Sequence, residues 1–503
     1  MKLGISGMRL ALASAAMAAG TLFAEMEPAT PESQGVDSQG ILDWLDACER
    51  KFDGVKEGRL HGFVIVRHGK VIAEGSWKPF DTLGETHMLY SHSKSFTSSA
   101  IGMVVDDGLL DLDERVIDIF PESVPADISE NLRQLRVRDL LTMNAGKNDH
   151  LIRGSGDWVR EFLARDFARR PGTGFKYDSD ATYMCAAIVE RKTGRKMMDF
   201  LKERMFDKIG IEKAWTTFSP QGIPCGGWGM NMTTREMARF GQLYLQRGFW
   251  GGKSIISPDW VSLATTRQTW SGWQNVGVKA LGQGSDWEQG YGFQFWRCRH
   301  GAYRADGASG QYTVVMPGQD MVVSVHAGLG DMGAELQLLW DHILPAAGDA
   351  PLPEGEALER LRTRLASLAL PPLDNAGGNR FKGGSFEFRD NHRGFRSVAF
   401  APNSDGGFDV TLATRAGEQR FTAGCGKWTR GSIRIDTENY ESLGGYIGVH
   451  PTAASCGMDG DGNFRMRVYL TGDTGHLDFS VGADGRIAGE FWAMNGCKIE
   501  DRR

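Results

Sequence analysis

Ser91 and Lys94 are the residues of this chain whose types and spacing most directly suggest chemistry. They stand in Ser91-His92-Ser93-Lys94, the one S-x-x-K of the sequence. At the start of a helix, residues three apart share a face, so the lysine amine lies beside the serine hydroxyl. A serine needs such a base to attack a carbonyl. Lysine can serve when desolvation or a neighbouring cation lowers its pKa and leaves it neutral. A helix N-terminus also offers backbone N–H groups and a positive dipole end, which suit a developing oxyanion. Tyr177, in Phe175-Lys176-Tyr177-Asp178-Ser179, is a second proton carrier. Beside a cationic lysine its hydroxyl should ionise more easily and trade protons with the serine or a leaving group. The third feature is Gly307-Ala308-Ser309-Gly310-Gln311, opening a strand. Small residues there let a substrate lie along a strand edge with backbone N–H groups facing it. By itself S-x-x-K describes any surface helix capped by a serine; the three features together carry the reading.

These residues need elements to position them. Phe63 to Val66, His68-Gly69-Lys70 and Val71 to Glu74 read as strand, turn and returning strand. A helix is expected from Ser91 to the Asp106-Asp107-Gly108 stop, with Phe96, Ala100, Met103 and Val104 at helical spacing. Two more are expected over 181–193, ending at Gly194, and over 234–247, ending at Gly248, with Met237, Phe240, Leu243 and Leu245 inward. Residues 314–325 return to strand, broken at Pro317-Gly318. Helices mixed with antiparallel strands in this order make the fold class α+β. Pro345, Pro351 and Pro353, a short charged helix to about Leu368 and Pro371-Pro372 read as a linker over 346–374. Beyond Asn375 the text turns to short strands between Gly turns, such as 396–400, 408–413, 465–470 and 477–481, with Asp405-Gly406 and Asp484-Gly485 as hairpin turns. Residues 375–503 are therefore expected to form a separate all-β C-terminal domain, barrel or sandwich.

Composition narrows the function classes. The 503 residues carry 57 basic and 63 acidic side chains, net −6, which argues against a nucleic-acid binder. The 7 cysteines form no C-x-x-C, so neither a zinc ribbon nor a thioredoxin-type pair is encoded. There is no H-E-x-x-H, and His61 and His68 begin no metal-ligand spacing, so no metal and no cofactor is expected. G-x-S-x-G is absent, which sets aside an α/β-hydrolase. Lys2 and Arg9, the uncharged run Leu10 to Phe23 and the small Ala24 read as a signal peptide over 1–24. The expected location is thus exported, periplasmic or secreted, with no transmembrane segment in the mature chain and with association with the cell envelope allowed. Export permits one disulfide among Cys425, Cys456 and Cys497, its pairing left open. His92 points about 100° away from Ser91 on a helix and is expected to be structural. Trp228, Trp287 and Trp296 either line a cleft or pack under loops.

Ser91 to Thr97, then Tyr177-Asp178-Ser179, then the Gly307 strand resemble, in that order, the serine β-lactamase and penicillin-binding protein superfamily. The detail is most similar to its class C β-lactamase-related serine hydrolases, which include D-aminopeptidases, D-Ala-D-Ala carboxypeptidases, carboxylesterases and 6-aminohexanoate-dimer hydrolases. Asp139 to Gly146, Gly226-Gly227 to Ala238-Arg239-Phe240-Gly241 and Tyr291 to Trp296 match too, and the likeness covers residues 30–345. It implies a β-lactamase/transpeptidase-like domain over 25–345: an antiparallel sheet flanked by helices, plus a helical lobe, with the site between them. It implies Ser91 as the acylated nucleophile, Lys94 as its base and Tyr177 as the second proton carrier. The backbone N–H groups of Ser91 and Ala308 would form the oxyanion hole, beside Gly307. Two departures bear on substrate. The third motif usually opens with Lys or His, but Ala305-Asp306-Gly307 stands there, with Arg304 near enough to compensate. Loss of that charge-assisted contact to a substrate carboxylate costs about 1.5–3 kcal/mol, which favours neutral esters and amides over β-lactams and D-Ala-D-Ala peptides. Ser179 replaces a common Asn, trading an amide's donors and carbonyl for one hydroxyl toward substrate. The expected partner is a small-molecule ester, amide or peptide-like substrate. The rival readings are a true β-lactamase, a D-Ala-D-Ala carboxypeptidase or a slowly acylating penicillin-recognising protein.

Overall fold

Phe63, Val64, Ile65 and Val66 form an unbroken apolar run, the pattern of a strand covered on both faces. They lie in β1 (Gly58–Arg67), and successive side chains point to opposite faces. Phe63 and Ile65 enter one core, Val64 and Val66 another. The structure is a computed structural model that describes residues 26–52, 58–147, 156–271, 284–375, 378, 380–435, 448–493 and 496–502. The expected leader, 1–24, lies outside the described residues.

β1 and β2 (Lys70–Ser76) make the expected hairpin. With β3 (Trp296–Arg297), β4 (Tyr303–Gly307), β5 (Gln311–Met316) and β6 (Met321–Leu329) they form one antiparallel sheet in the order β2-β1-β6-β5-β4-β3. The strand expected over 314–325 is thus two, because Pro317 to Gln319 turn the chain back and Asp320 takes a left-handed φ of 47°.

Helix α1 (Ser38–Lys51) covers one face of the sheet, with Trp44 and Leu45 in the core that holds Phe63. On the other side lie α2 (Ser93–Asp106), α3 (Ser179–Thr193) and α4 (Thr234–Leu245), with Phe96, Met184 and Phe240 in the core that holds Val64. Each starts for a local reason. Asp178 accepts from the Asp180 N–H at 2.9 Å to cap α3, and Gly194 at φ 67° ends it. Thr233 and Glu236 close a reciprocal box at the start of α4. α2 begins at Ser93 rather than Ser91, because Tyr90 is left-handed at φ 48° and Tyr90–His92 form a 3-10 turn ahead of the helix. Helix α5 (Met332–Leu338) returns to the α1 side with Leu336 buried.

The segment expected to link the domains is docked rather than slack. Its helix α6 (Glu356–Ala366) buries Leu358 and Leu361, and Leu368 and Leu370 join the α1-side core. The Lys78 N–H donates to Leu368 O at 3.1 Å, and the Leu370 N–H to Lys78 O at 2.6 Å.

The C-terminal all-β domain contains β7 (Gly384–Glu387), β8 (Ser397–Pro402), β9 (Phe408–Thr414), β10 (Gly417–Cys425), β11 (Thr429–Ile435), β12 (Gly448–Met458), β13 (Phe464–Leu470), β14 (His476–Val481), β15 (Ile487–Trp492) and β16 (Cys497–Glu500). The sheet runs β7-β8-β9-β10-β12-β13-β14-β15-β16, with β11 on β12. Only the β10–β12 junction, Gly424↔Ser455 and Cys425↔Cys456, is parallel among the described pairs. The sheet curls until its edges meet: the Arg389 N–H donates to Glu500 O at 2.9 Å and the Arg502 N–H to Glu387 O at 2.9 Å. The period-two pattern explains the interior, since Phe408, Val410 and Leu412 all face one phenylalanine-rich core.

Candidate active site

The turn before α2 leaves Ser91 half-buried while Lys94, one turn on, is 1% exposed. The Lys94 amine meets three acceptors: Gly227 O at 2.6 Å, Ser179 Oγ at 2.9 Å and Ser91 Oγ at 3.0 Å. An ammonium fills all three. A neutral amine donates to two and turns its lone pair to the third. Burial lowers the Lys94 pKa to about 7, against the opposing pull of Asp178, Asp306 and Asp180. Near neutrality the amine is therefore poised to take the Ser91 proton.

Tyr177 sits close enough to Ser91 for the serine hydroxyl to act on its ionisation. Its ring stacks on Trp296 at 5.7 Å and meets Tyr291 edge-on at 6.3 Å. The Lys94 amine lies over the ring face, 4.7 Å from its centre. Desolvation by this setting raises the Tyr177 pKa well above the ordinary phenol value. The expected easier ionisation is thus corrected: burial outweighs the pull of Ser91 and Arg304, and Tyr177 stays protonated.

The strand edge comes close as expected. A Cβ on Gly307 would fall 2.0 Å from Leu89 O and 3.2 Å from His92 N, so glycine is what lets β4 lie against the turn that carries Ser91. Ala308 is half-exposed just past the Gly307↔Gln311 pair, in a turn where Ser309 is left-handed at φ 63°. The Ser179 hydroxyl accepts from the Lys94 amine at 2.9 Å, which places it in the same hydrogen-bonded group as Ser91. Arg304 cannot replace the missing cation. It is fully buried, with Nε on Asp306 Oδ2 at 2.8 Å and Nη1 on Asp286 O at 3.0 Å, beneath Trp287.

Of the tryptophans, Trp296 lines the site against Tyr177, Trp287 covers Arg304, and Trp228 packs 6.1 Å from Trp158. His92 is fully buried with Nε2 on Thr313 Oγ1 at 2.9 Å, and burial lowers its pKa to about 3, so it stays neutral and structural. Sequence reading missed Lys147, whose buried amine pairs with Asp180 at 3.0 Å beside Asp178. The signal was present in Lys147, just beyond the Asp139–Gly146 segment, and in a carboxylate next to Ser179. Among the described residues, no group of three His, Cys, Asp or Glu could hold a metal ion, and no helix is long and apolar enough to cross a membrane.

The sequence model of the Beta-lactamase family matches residues 45–347, more than half of the chain. This chain belongs to the Beta-lactamase family. It is 26% identical over 257 residues to the 6-aminohexanoate-dimer hydrolase of Paenarthrobacter ureafaciens, covering 47% of this chain and 64% of that one. It is 27% identical over 169 residues to the lovastatin esterase of Penicillium rubens, covering 28% and 42%. The chain thus spans under two thirds of the length of these two hydrolases. A solved structure from Bacillus anthracis, assigned to the 6-aminohexanoate-dimer hydrolases, shares the fold at a TM-score of 0.51 and 20% identity, over 65% of this chain and 88% of that one. Ser91, Lys94 and Tyr177 all lie within the residues that this family model matches.

Proposed function

We propose that this protein is an exported serine hydrolase that cleaves ester or amide bonds through an acyl-enzyme on Ser91. The observation that carries the reading is the Lys94 amine, 3.0 Å from Ser91 Oγ with its pKa brought down to about 7. Neutral Lys94 takes the Ser91 proton as Oγ bonds to the substrate carbonyl carbon. The carbonyl oxygen becomes an oxyanion that receives the backbone N–H groups of Ser91 and Ala308. As the carbon–heteroatom bond breaks, the Tyr177 phenol gives its proton to the leaving alcohol or amine, and the Lys94 ammonium returns one to Tyr177. Water then attacks the ester on Ser91, gives a proton back through the same groups and frees the acid. Ser179 Oγ and Gly227 O hold the amine throughout.

Substrates without a carboxylate near the scissile bond fit this site best. The position where the resemblance places Lys or His holds Ala305, and the neighbouring Asp306 is tied to the buried Arg304. The leader-like residues 1–24 support export to the periplasm or medium, where envelope association is open to the mature chain. A fluorophosphonate probe and fluorescent penicillin, applied to wild type and Ser91→Ala, test the proposal. We expect fluorophosphonate to label wild type only, and a p-nitrophenyl ester to turn over at least ten times faster than nitrocefin. Labelling that survives Ser91→Ala removes the nucleophile, and equal turnover of the two substrates restores the β-lactamase reading.

A further inference from the structure

The turn that presents Ser91 is conformationally costly. Tyr90, the residue before it, is left-handed at φ 48°, a backbone state that a bulky side chain adopts only where its surroundings over-determine it. Some of those surroundings belong to the catalytic domain. The Ser93 hydroxyl donates to Tyr90 O at 2.6 Å, and the Leu89 N–H to Met230 O at 2.8 Å.

The rest come from the C-terminal domain, in the turn between β13 and β14. The Met88 N–H donates to Gly472 O at 2.9 Å. Gly472 lies so close that a Cβ there would stand 3.3 Å from Thr86 O. The Tyr90 hydroxyl donates to Asp473 Oδ1 at 2.8 Å and lies 2.9 Å from Thr474 Oγ1. Asp473 Oδ1 also accepts the Thr474 N–H at 2.6 Å, which fixes the carboxylate in its own turn. Tyr90 is 5% exposed, and burial beside Asp473 raises its pKa well above the ordinary phenol value, so it remains a donor. The guanidinium of Arg393, from the loop between β7 and β8, acts on the same hydroxyl.

We infer that the β13–β14 turn is a positioning element of the active site: Asp473 and Thr474 hold the Tyr90 hydroxyl and thereby fix the turn that aims Ser91 Oγ at the substrate carbonyl. The inference rests on Ser91 being the nucleophile. It gives the all-β domain a part in the reaction without contact with substrate. Aim matters more than affinity here, because a nucleophile displaced by about 1 Å loses on the order of a hundredfold in rate. The acceptor at Asp473 is what the Tyr90 hydroxyl requires, and an amide oxygen supplies one as well as a carboxylate does.

The test uses the full-length protein. Tyr90→Phe keeps the ring and removes the hydroxyl. We expect its acylation rate with fluorophosphonate and its kcat on a p-nitrophenyl ester to fall about ten- to a hundredfold, with KM within about twofold of wild type. Asp473→Ala should fall as far, Asp473→Asn should recover to within about threefold of wild type, and the double variant Tyr90→Phe/Asp473→Ala should fall no further than either alone. Circular dichroism at the assay temperature confirms that each variant is folded, and Asp473→Ala carries the test should Tyr90→Phe not fold. Wild-type acylation by Tyr90→Phe, or losses that add in the double variant, would overturn the inference. Labelling of Ser91→Ala at the wild-type rate would instead remove the nucleophile on which it rests, so the two failures are distinguishable.

Discussion

Lys94 gains its reactivity from burial. Desolvation of an amine that is 1% exposed brings its pKa down to about 7, against the opposing pull of Asp178, Asp306 and Asp180. The sign of the pH dependence follows. Below about 7 the amine is protonated and has no lone pair for Ser91; above it the base is free. kcat/KM on a neutral ester should therefore rise with pH through an apparent pKa of about 7 to a plateau, and Lys94→Arg should abolish the rise together with the activity. Stability should climb with pH from about 7 toward 10.5, above the window in which the rate rises. The folded-state pKa lies below the ordinary lysine value of 10.5, so between the two the unfolded chain binds more protons. A pH–rate profile beside urea melts at pH 6 and 9 checks both. Ser91 and Lys94 were legible in the sequence because residues three apart across the start of a helix fall within one turn. What Tyr177 does with its proton was not, because that depends on Trp296 and Tyr291, over a hundred residues away. Nor was the burial of Arg304, which depends on Asp286 and Trp287.

At the scale of elements, alternation and capping carry most of the message. The β1–β2 hairpin, the helices over Ser179–Thr193 and Thr234–Leu245 and the tail strands all follow from short-range pattern and turn residues. The 3-10 turn at Tyr90–His92 does not, because a left-handed tyrosine is stabilised by partners far along the chain. The parallel junction between β10 and β12 was equally hidden, since the connection between these strands passes through β11. That junction selects one pairing among the three tail cysteines. Cys425 and Cys456 are direct neighbours with sulfurs 2.9 Å apart, both as free thiols. Treatment with diamide should link them, and peptide mapping without reductant should recover a joined Cys425–Cys456 fragment with Cys497 left free to alkylate. A Cys497 crosslink in place of this one would contradict the register.

Across the whole molecule, the two domains share side chains rather than a hinge. Tyr469 of β13 packs in the catalytic domain's own core, its ring 5.3 Å from that of Phe80. Arg430 of β11 reaches Glu85 at 2.8 Å. The change from helix-rich to strand-rich text revealed two domains, but a change of pattern carries no account of how they touch. That touch has a consequence in time. Tyr90 and Asp473 are 383 positions apart in the chain, and pairings of such separation form late because the intervening loop must first be closed. On refolding from urea, far-ultraviolet circular dichroism should recover first and fluorophosphonate labelling of Ser91 should lag behind it; simultaneous recovery would mean that the turn sets without the tail. A lag would mean that in any half-made or half-folded chain the serine acylates about ten- to a hundredfold more slowly, and that the protein's full acylating power develops only once the tail sheet is in place.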